Sequence, residues 1–341
     1  MWWILLTACE TPVTKTPPGP RDPDTVAWAS QPSTGLPAYV GSTRPIAAMA
    51  SVVDQLFVAL GDLGLHQSGD GGGSFVASPL STADCEPLGL YVTLEDRLLV
   101  SCYSDDGSGG LWASDDGISF TPSDEGLHAG NEYDAQFVEL NGRLYYDAAV
   151  VSDDGGRSWS TESGAPTGCR VYRLGDQLFC HRNAVADAHT WTSADDGLTW
   201  TDVTDASTSD LVLLRFAEVD GRVWALDNRE GAAGISASVV SSPDGTIWTR
   251  EPNLPEQSPV FWTLLTNVDG VGLISLGPDS MDGIADNGPL FFSRGGAWLP
   301  AVGPEASELA GAHAAAGTET GVLLLTEAGL ISALWEEFAT D

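Results

Sequence analysis

The chain has 341 residues, 43% of them hydrophobic, together with 39 glycines, so it has the material for a sizeable core and for many tight turns, and wholesale disorder is excluded. With 48 acidic against 14 basic residues, its formal net charge is -34. Nucleic acid is therefore excluded as a partner, because that affinity rests on Lys and Arg neutralising phosphates, and adsorption to an anionic membrane surface is disfavoured for the same reason.

The chain begins Met-Trp-Trp-Ile-Leu-Leu-Thr-Ala-Cys. The apolar run ending in Leu6-Thr7-Ala8-Cys9 resembles the bacterial lipobox, in which an apolar and two small residues precede a cysteine that receives lipid. The resemblance implies that residues 1–8 are removed and that Cys9 becomes a lipidated N-terminus. The signal is short and lacks a basic start; a start codon further upstream would account for both. Residues 9–24, rich in Pro and Thr, cannot bury a core and read as an extended tether. No later stretch supplies 18 uncharged apolar residues, so lipid is the one membrane attachment expected. The expected location is the bacterial cell envelope, and the expected state is a monomer.

Four further cysteines remain, an even number in a chain read as exported. Proximity pairs Cys85 with Cys102 and Cys169 with Cys180; four buried free thiols are the alternative. Without Cys-x-x-Cys or a nearby His pair, these cysteines do not read as metal ligands.

From residue 25 onward one pattern recurs: Ser-x-Asp-x-Gly-x-Ser/Thr-aromatic. It stands as Ser68-x-Asp70-x-Gly72-x-Ser74-Phe75, Ser152-x-Asp154-x-Gly156-x-Ser158-Trp159 and Ser193-x-Asp195-x-Gly197-x-Thr199-Trp200. Asp115-x-Gly117-x-Ser119-Phe120 matches with Ala113 in first place, and Ser242-Pro243-Asp244-Gly245-Thr246-Ile247-Trp248 is one residue shorter. Ser293–Trp298 is a degenerate copy without its aspartate. These residues resemble the Asp-box, or BNR repeat, of sialidases, some other glycosidases, sortilin-type receptors and photosystem-assembly propellers. In such a turn the short carboxylate accepts backbone N–H groups, glycine permits the tightest point and the aromatic ring packs beyond it. The resemblance implies a structural role for these residues.

The aspartates recur about 40 to 50 residues apart, the length of a four-stranded propeller blade. Between them lie apolar hairpins with turns at Asp54-Gln55, Glu95-Asp96, Asn141-Gly142, Gly175-Asp176, Asp220-Gly221, Asp269-Gly270 and Glu319. The clearest are residues 138–146 and 217–225. Seven hairpins predict an all-β, seven-bladed propeller of four-stranded antiparallel blades over residues 25–341, with six blades as the alternative. Residues 329–334 read as the third strand of blade 7. Residues 25–29 resemble the strands that follow the aspartate turns, and are expected to complete that blade and close the ring.

Function is sought in the variable loops on the face opposite the aspartate turns. Candidates there are residues 103–107, 131–134 and 227–230. In residues 278–287 the acids Asp279, Asp282 and Asp286 resemble a calcium loop of the thrombospondin type-3 kind, so calcium is the one cofactor considered. Arg170, Arg173 and Arg215 fall on predicted innermost strands and could face a channel. The Phe-Arg-Ile-Pro motif of sialidases is missing. Two function classes follow. One is a lipid-anchored binding or scaffold module for a protein or glycan. The alternative is a glycoside hydrolase with two carboxylates on the face opposite the aspartate turns.

Overall fold

The computed structural model describes residues 26, 28–37, 48–52, 54–80, 85–103, 110–124, 137–146, 150–161, 164–183, 188–205, 211–231, 234–251, 254, 262–276, 290–294, 297–301, 312–326 and 329–338. Among these the chain forms seven antiparallel sheets. The first strand, β1 (Ala29–Ser30), belongs to the last sheet. Blade 1 holds β2 (Ala48–Val52), β3 (Gln55–Ala59), β4 (Leu65–Ser68) and β5 (Val76–Ala77). Blade 2 holds β6 (Glu86–Val92), β7 (Leu98–Tyr103), β8 (Leu111–Ser114) and β9 (Thr121–Pro122). Blade 3 holds β10 (Phe137–Leu140), β11 (Arg143–Tyr146) and β12 (Val150–Ser152), its fourth strand reduced to a bridge between Val151 and Ser160. Blade 4 holds β13 (Arg170–Leu174), β14 (Gln177–Arg182), β15 (His189–Ser193) and β16 (Thr201–Asp202). Blade 5 holds β17 (Leu213–Val219), β18 (Arg222–Gly231), β19 (Gly234–Ser242) and β20 (Thr249–Arg250). Blade 6 holds β21 (Trp262–Val268), β22 (Val271–Leu276), β23 (Leu290–Arg294) and β24 (Ala297–Pro300). Blade 7 holds β25 (Ala314–Gly317), β26 (Gly321–Thr326), β27 (Gly329–Leu334) and, on its outer side, β1.

The first strand of each blade is innermost. Strand β2 touches both β6 and β25, β13 touches β10 and β17, and β21 touches β17 and β25. Blades 2 and 3 meet through stacked Tyr91 and Phe137 rings, 5.1 Å apart. The sheets therefore close into a ring, a seven-bladed β-propeller. Its core is not central: the buried apolar side chains form one cluster at each of the seven blade junctions. Period-2 alternation lets each strand cover both sheet faces, and each face is buried only by the next blade.

The hairpins between first and second strands turn where their residues allow. Asn141 and Gly142 have φ of 51° and 80°, the left-handed pair that a two-residue type I′ turn requires. The turns between third and fourth strands are set by side chains. Ser68 Oγ donates to Asp70 Oδ1 at 2.7 Å and accepts the Gly72 amide at 2.9 Å. Asp70 in turn accepts the Ser74 amide at 2.8 Å and its hydroxyl at 2.6 Å. Asp154 and Asp195 repeat this with Ser158 and Thr199. Asp244 holds a shorter version, accepting the amides of Thr246 and Ile247 at 2.9 and 3.0 Å.

Blade 2 departs from the expected register. Asp116, not Asp115, is the carboxylate of its turn: it accepts Ser114 Oγ at 3.1 Å and the amides of Ile118 and Ser119 at 2.8 and 2.7 Å. The reason is pairing. Ser114 stands opposite Leu98, as Ser68 stands opposite Leu56 and Ser193 opposite Leu178. Ser114 and not Ala113 therefore takes the first place, and the turn is of the short form. Asp115 instead pairs with Arg97 at 2.8 Å and Arg157 at 3.5 Å. In blade 6, where the turn aspartate is missing, Ser293 donates to Asp220 of blade 5 at 2.9 Å.

Two disulfides tie the residue just before the first strand to the second strand of the same blade, Cys85–Cys102 with Cα atoms 4.9 Å apart and Cys169–Cys180 with Cα atoms 5.5 Å apart. At the closure, Ala29 pairs with Ser332 and Ser30 with Ile331. Trp28, 3% exposed, precedes this short strand and sits in the junction between blades 6 and 7, edge-on to Phe338 at 5.8 Å.

Two substitutions and one control test this architecture by chemical denaturation. Trp28→Ala is expected to cost about 3–5 kcal/mol, the usual loss for truncating a buried large aromatic. Gly197 has φ 77°, and a Cβ there would collide with the Tyr145 hydroxyl of the preceding blade. Gly197→Ala should therefore cost clearly more than the roughly 1–2 kcal/mol of a left-handed backbone alone. Gly221→Ala, at φ 68° with open space around it, isolates that backbone cost.

Candidate functional site at the channel mouth

The two classes of turn share one face. Asn141, in a hairpin turn, donates to Asp196 in the aspartate turn of the next blade at 2.8 Å. Arg157, in the aspartate turn of blade 3, reaches Glu95 of the blade 2 hairpin at 3.2 Å. At the centre of this face opens a cavity of about 540 Å³, lined by innermost strands and hairpin turns of blades 2 to 6.

Its floor is built by one repeated position. Glu139, Arg173, Glu218 and Asn267 are each next to last in their innermost strand, and each pairs with the second residue of the following strand: Leu144, Leu178, Val223 and Gly272. They form an arc in which each group reaches a neighbouring blade. Arg173 Nη1 donates to the Glu139 carbonyl at 3.1 Å, and Asn267 donates to the Glu218 carbonyl. Glu139, 5% exposed, accepts the Leu94 amide on Oε2 at 2.9 Å. Glu218 Oε2 lies 3.7 Å from Arg173 Nε and accepts no hydrogen bond among the described residues. Burial, then the adjoining Glu139 carboxylate, push the Tyr91 phenol above the ordinary tyrosine range, so Tyr91 stays protonated as a donor. Four carboxylates (Glu139, Glu218, Asp220 and Asp269) face one guanidinium in this lining, so it favours positive charge.

Of the residues singled out in the sequence, Arg173 lines this cavity, whereas Arg170 and Arg215 do not. Arg215 sits in a bulge of β17 with φ 50°. Residues 104–109, 125–136 and 277–289 lie outside the described residues, and with them Asn131 to Asp134 and the acids Asp279, Asp282 and Asp286; Cys9 and the tether do as well. No cluster of three or more His, Cys, Asp or Glu side chains able to hold a metal occurs among the described residues. The sequence reading missed Glu139 and Glu218. A signal existed: Val-Glu-Leu-Asn-Gly and Ala-Glu-Val-Asp-Gly place a glutamate identically before two hairpin turns.

No family model and no curated protein matches this chain. Solved structures do. A GH74 xyloglucanase from Xanthomonas campestris is similar with a TM-score of 0.59 and 15% identity, over 84% of this chain and 51% of that one. A GH74 enzyme from Niastella koreensis gives 0.52 and 15%, over 87% and 44%. YCF48 bound to D1 peptide gives 0.53 and 14%, over 92% of this chain and 100% of that one. The chain thus spans about half the length of the two GH74 enzymes. At these identities the likeness shows the fold alone, a propeller shared by glycoside hydrolases and binding modules.

Titration separates two parts of the ring. His181 is fully buried on β14, with Nδ1 3.0 Å from Thr190 Oγ1. Burial lowers its pKa to about 4. The unfolded chain binds this proton below about pH 6.5, whereas the folded ring refuses it until about pH 4. Stability is therefore complete above that window and falls through it as pH drops, by roughly 3 kcal/mol from this group. The turn aspartates act lower. Hydrogen bonds from the hydroxyls of Ser74 and Ser68 hold Asp70 at about 2, and the amides of Ser119 and Ile118 hold Asp116 at about 2. Their contribution is present above the ordinary aspartate pKa and is lost as pH falls towards 2. Unfolding free energies measured from pH 7 to 2 should show His181→Gln removing the loss between 6.5 and 4 while leaving the loss below 4. An unchanged upper window would refute the assignment to His181.

Proposed function

We propose that the chain is an exported binding or scaffold propeller, anchored by lipid at Cys9 and a tether over residues 9–24, and that it holds a protein or glycan ligand rather than cleaving one. In this reading its aspartate turns are Asp-boxes of the BNR-repeat superfamily, and they serve as scaffold. The observation that carries the reading is the state of the channel-mouth carboxylates. Glu139 is engaged by the Leu94 amide and Glu218 faces Arg173. A rigid lining of fixed charges and aromatic rings suits recognition. The two disulfides support export, because such bonds persist in oxidising compartments. A peptide-bound propeller that this chain matches over nearly the whole of both chains supports the binding class.

The test is a screen of the purified protein against glycan and peptide arrays, run beside hydrolysis assays on xyloglucan and sialosides. Saturable binding without product release is expected. Turnover of either glycoside, abolished by a carboxylate substitution, would replace this reading with the hydrolase one.

A further inference from the structure

The face that bears the channel mouth also carries apolar side chains which the fold does not use. Leu94, Ile118, Leu198 and Ile247 are 70, 56, 64 and 51% exposed, and all four stand on its turns. Ile118, Leu198 and Ile247 recur on the aspartate turns of blades 2, 4 and 5, at positions where the turn itself needs only a backbone amide. Leu94 also lines the cavity. Exposed aliphatic groups around an anionic, aromatic-walled recess form an interface pattern, with a core to desolvate and charges to orient the partner.

We infer that this turn face is a protein-docking surface, and that its channel mouth takes a lysine or arginine side chain from an extended basic segment of the partner, between Glu139 and Glu218. The inference rests on the binding-module reading and adds the face and the chemistry of the ligand. Charge complementarity selects the occupant. The lining carries four carboxylates against Arg173, within a chain of net charge -34. Glu218 keeps an oxygen without a hydrogen bond among the described residues, and the Arg173 guanidinium already stands 3.7 Å from it. A ligand cation would compete with this resident one for the same oxygen. Tyr91 and Phe137 line the recess and offer apolar surface to the alkyl stem of the incoming cation. An anionic peptide or nucleic acid would meet net repulsion there.

The test begins with a randomised twelve-residue peptide library panned on the immobilised full chain at low salt. Selected peptides are then synthesised and titrated by fluorescence anisotropy. Enrichment of Lys or Arg beside aliphatic or aromatic residues is expected, with affinity falling as salt rises. Glu218→Gln should weaken the selected peptides about tenfold, the loss of one charge-assisted contact. Arg173→Ala should tighten them, and Leu198→Ser with Ile247→Ser should weaken them, the latter pair at unchanged melting temperature. Tyr103→Ala, at the far end of β7 and hence on the opposite face, should change nothing. Selection of neutral or acidic peptides, or of basic ones insensitive to Glu218→Gln but lost with Tyr103→Ala, would overturn the inference and leave the binding reading standing. Enrichment of no peptide, together with glycan binding, would overturn the inference and assign the module to sugars.

Discussion

Every blade depends on how closely it can approach the next. Each sheet has two apolar faces and, among the described residues, no helical layer to cover them, so the neighbouring blade must do it. One close approach recurs at the aspartate turn. Gly72 comes against Leu323, Gly117 against Phe57, Gly156 against Leu99, Gly197 against Tyr145 and Gly245 against Phe179. In each case the partner lies on the second strand of the preceding blade. The aspartate therefore does more than tie its own strands together. By gathering amides and hydroxyls into one compact loop, it presents a residue without a side chain to the neighbour, and the aromatic residue that follows fills the junction. Depressed aspartate pKa values are the electrostatic trace of those hydrogen bonds.

That constraint also shapes the candidate site. Hairpin and aspartate turns interlock across blades, so the channel mouth stands on elements whose positions are fixed by packing, which is what a preorganised recognition surface needs. The arc of Glu139, Arg173, Glu218 and Asn267 is a by-product of the same repeat. One strand position recurs around the ring, and each of its four side chains reaches a neighbouring blade. The exposed aliphatic groups on the aspartate turns arise in the same way, from positions whose side chains the turn leaves unassigned.

Blade number and closure were legible in the sequence because both rest on local chemistry. Asn-Gly and Asp-Gly turns between apolar alternations can only be hairpins, and Trp28 precedes β1 as Trp200 precedes β16 and Trp248 precedes β20. The blade 2 turn was misread because Ser114-Asp115-Asp116-Gly117 offers two aspartates, and local pattern cannot choose between them; the register of Ser114 against Leu98 does. The channel mouth was harder still. Glutamates separated by almost eighty residues line one cavity only because the ring brings equivalent strand positions together, which no local pattern records.

The central claim is that seven blades form one closed, mutually covering unit, latched by a two-residue strand from the chain's start. Native-state hydrogen exchange tests this most directly. The account predicts that amides of β26 and β27 in blade 7 open with the same free energy as those of β11 and β14, on the far side of the ring, in a single global event. Exchange of blade 7 through a separate opening, several kcal/mol below the global value, would contradict it.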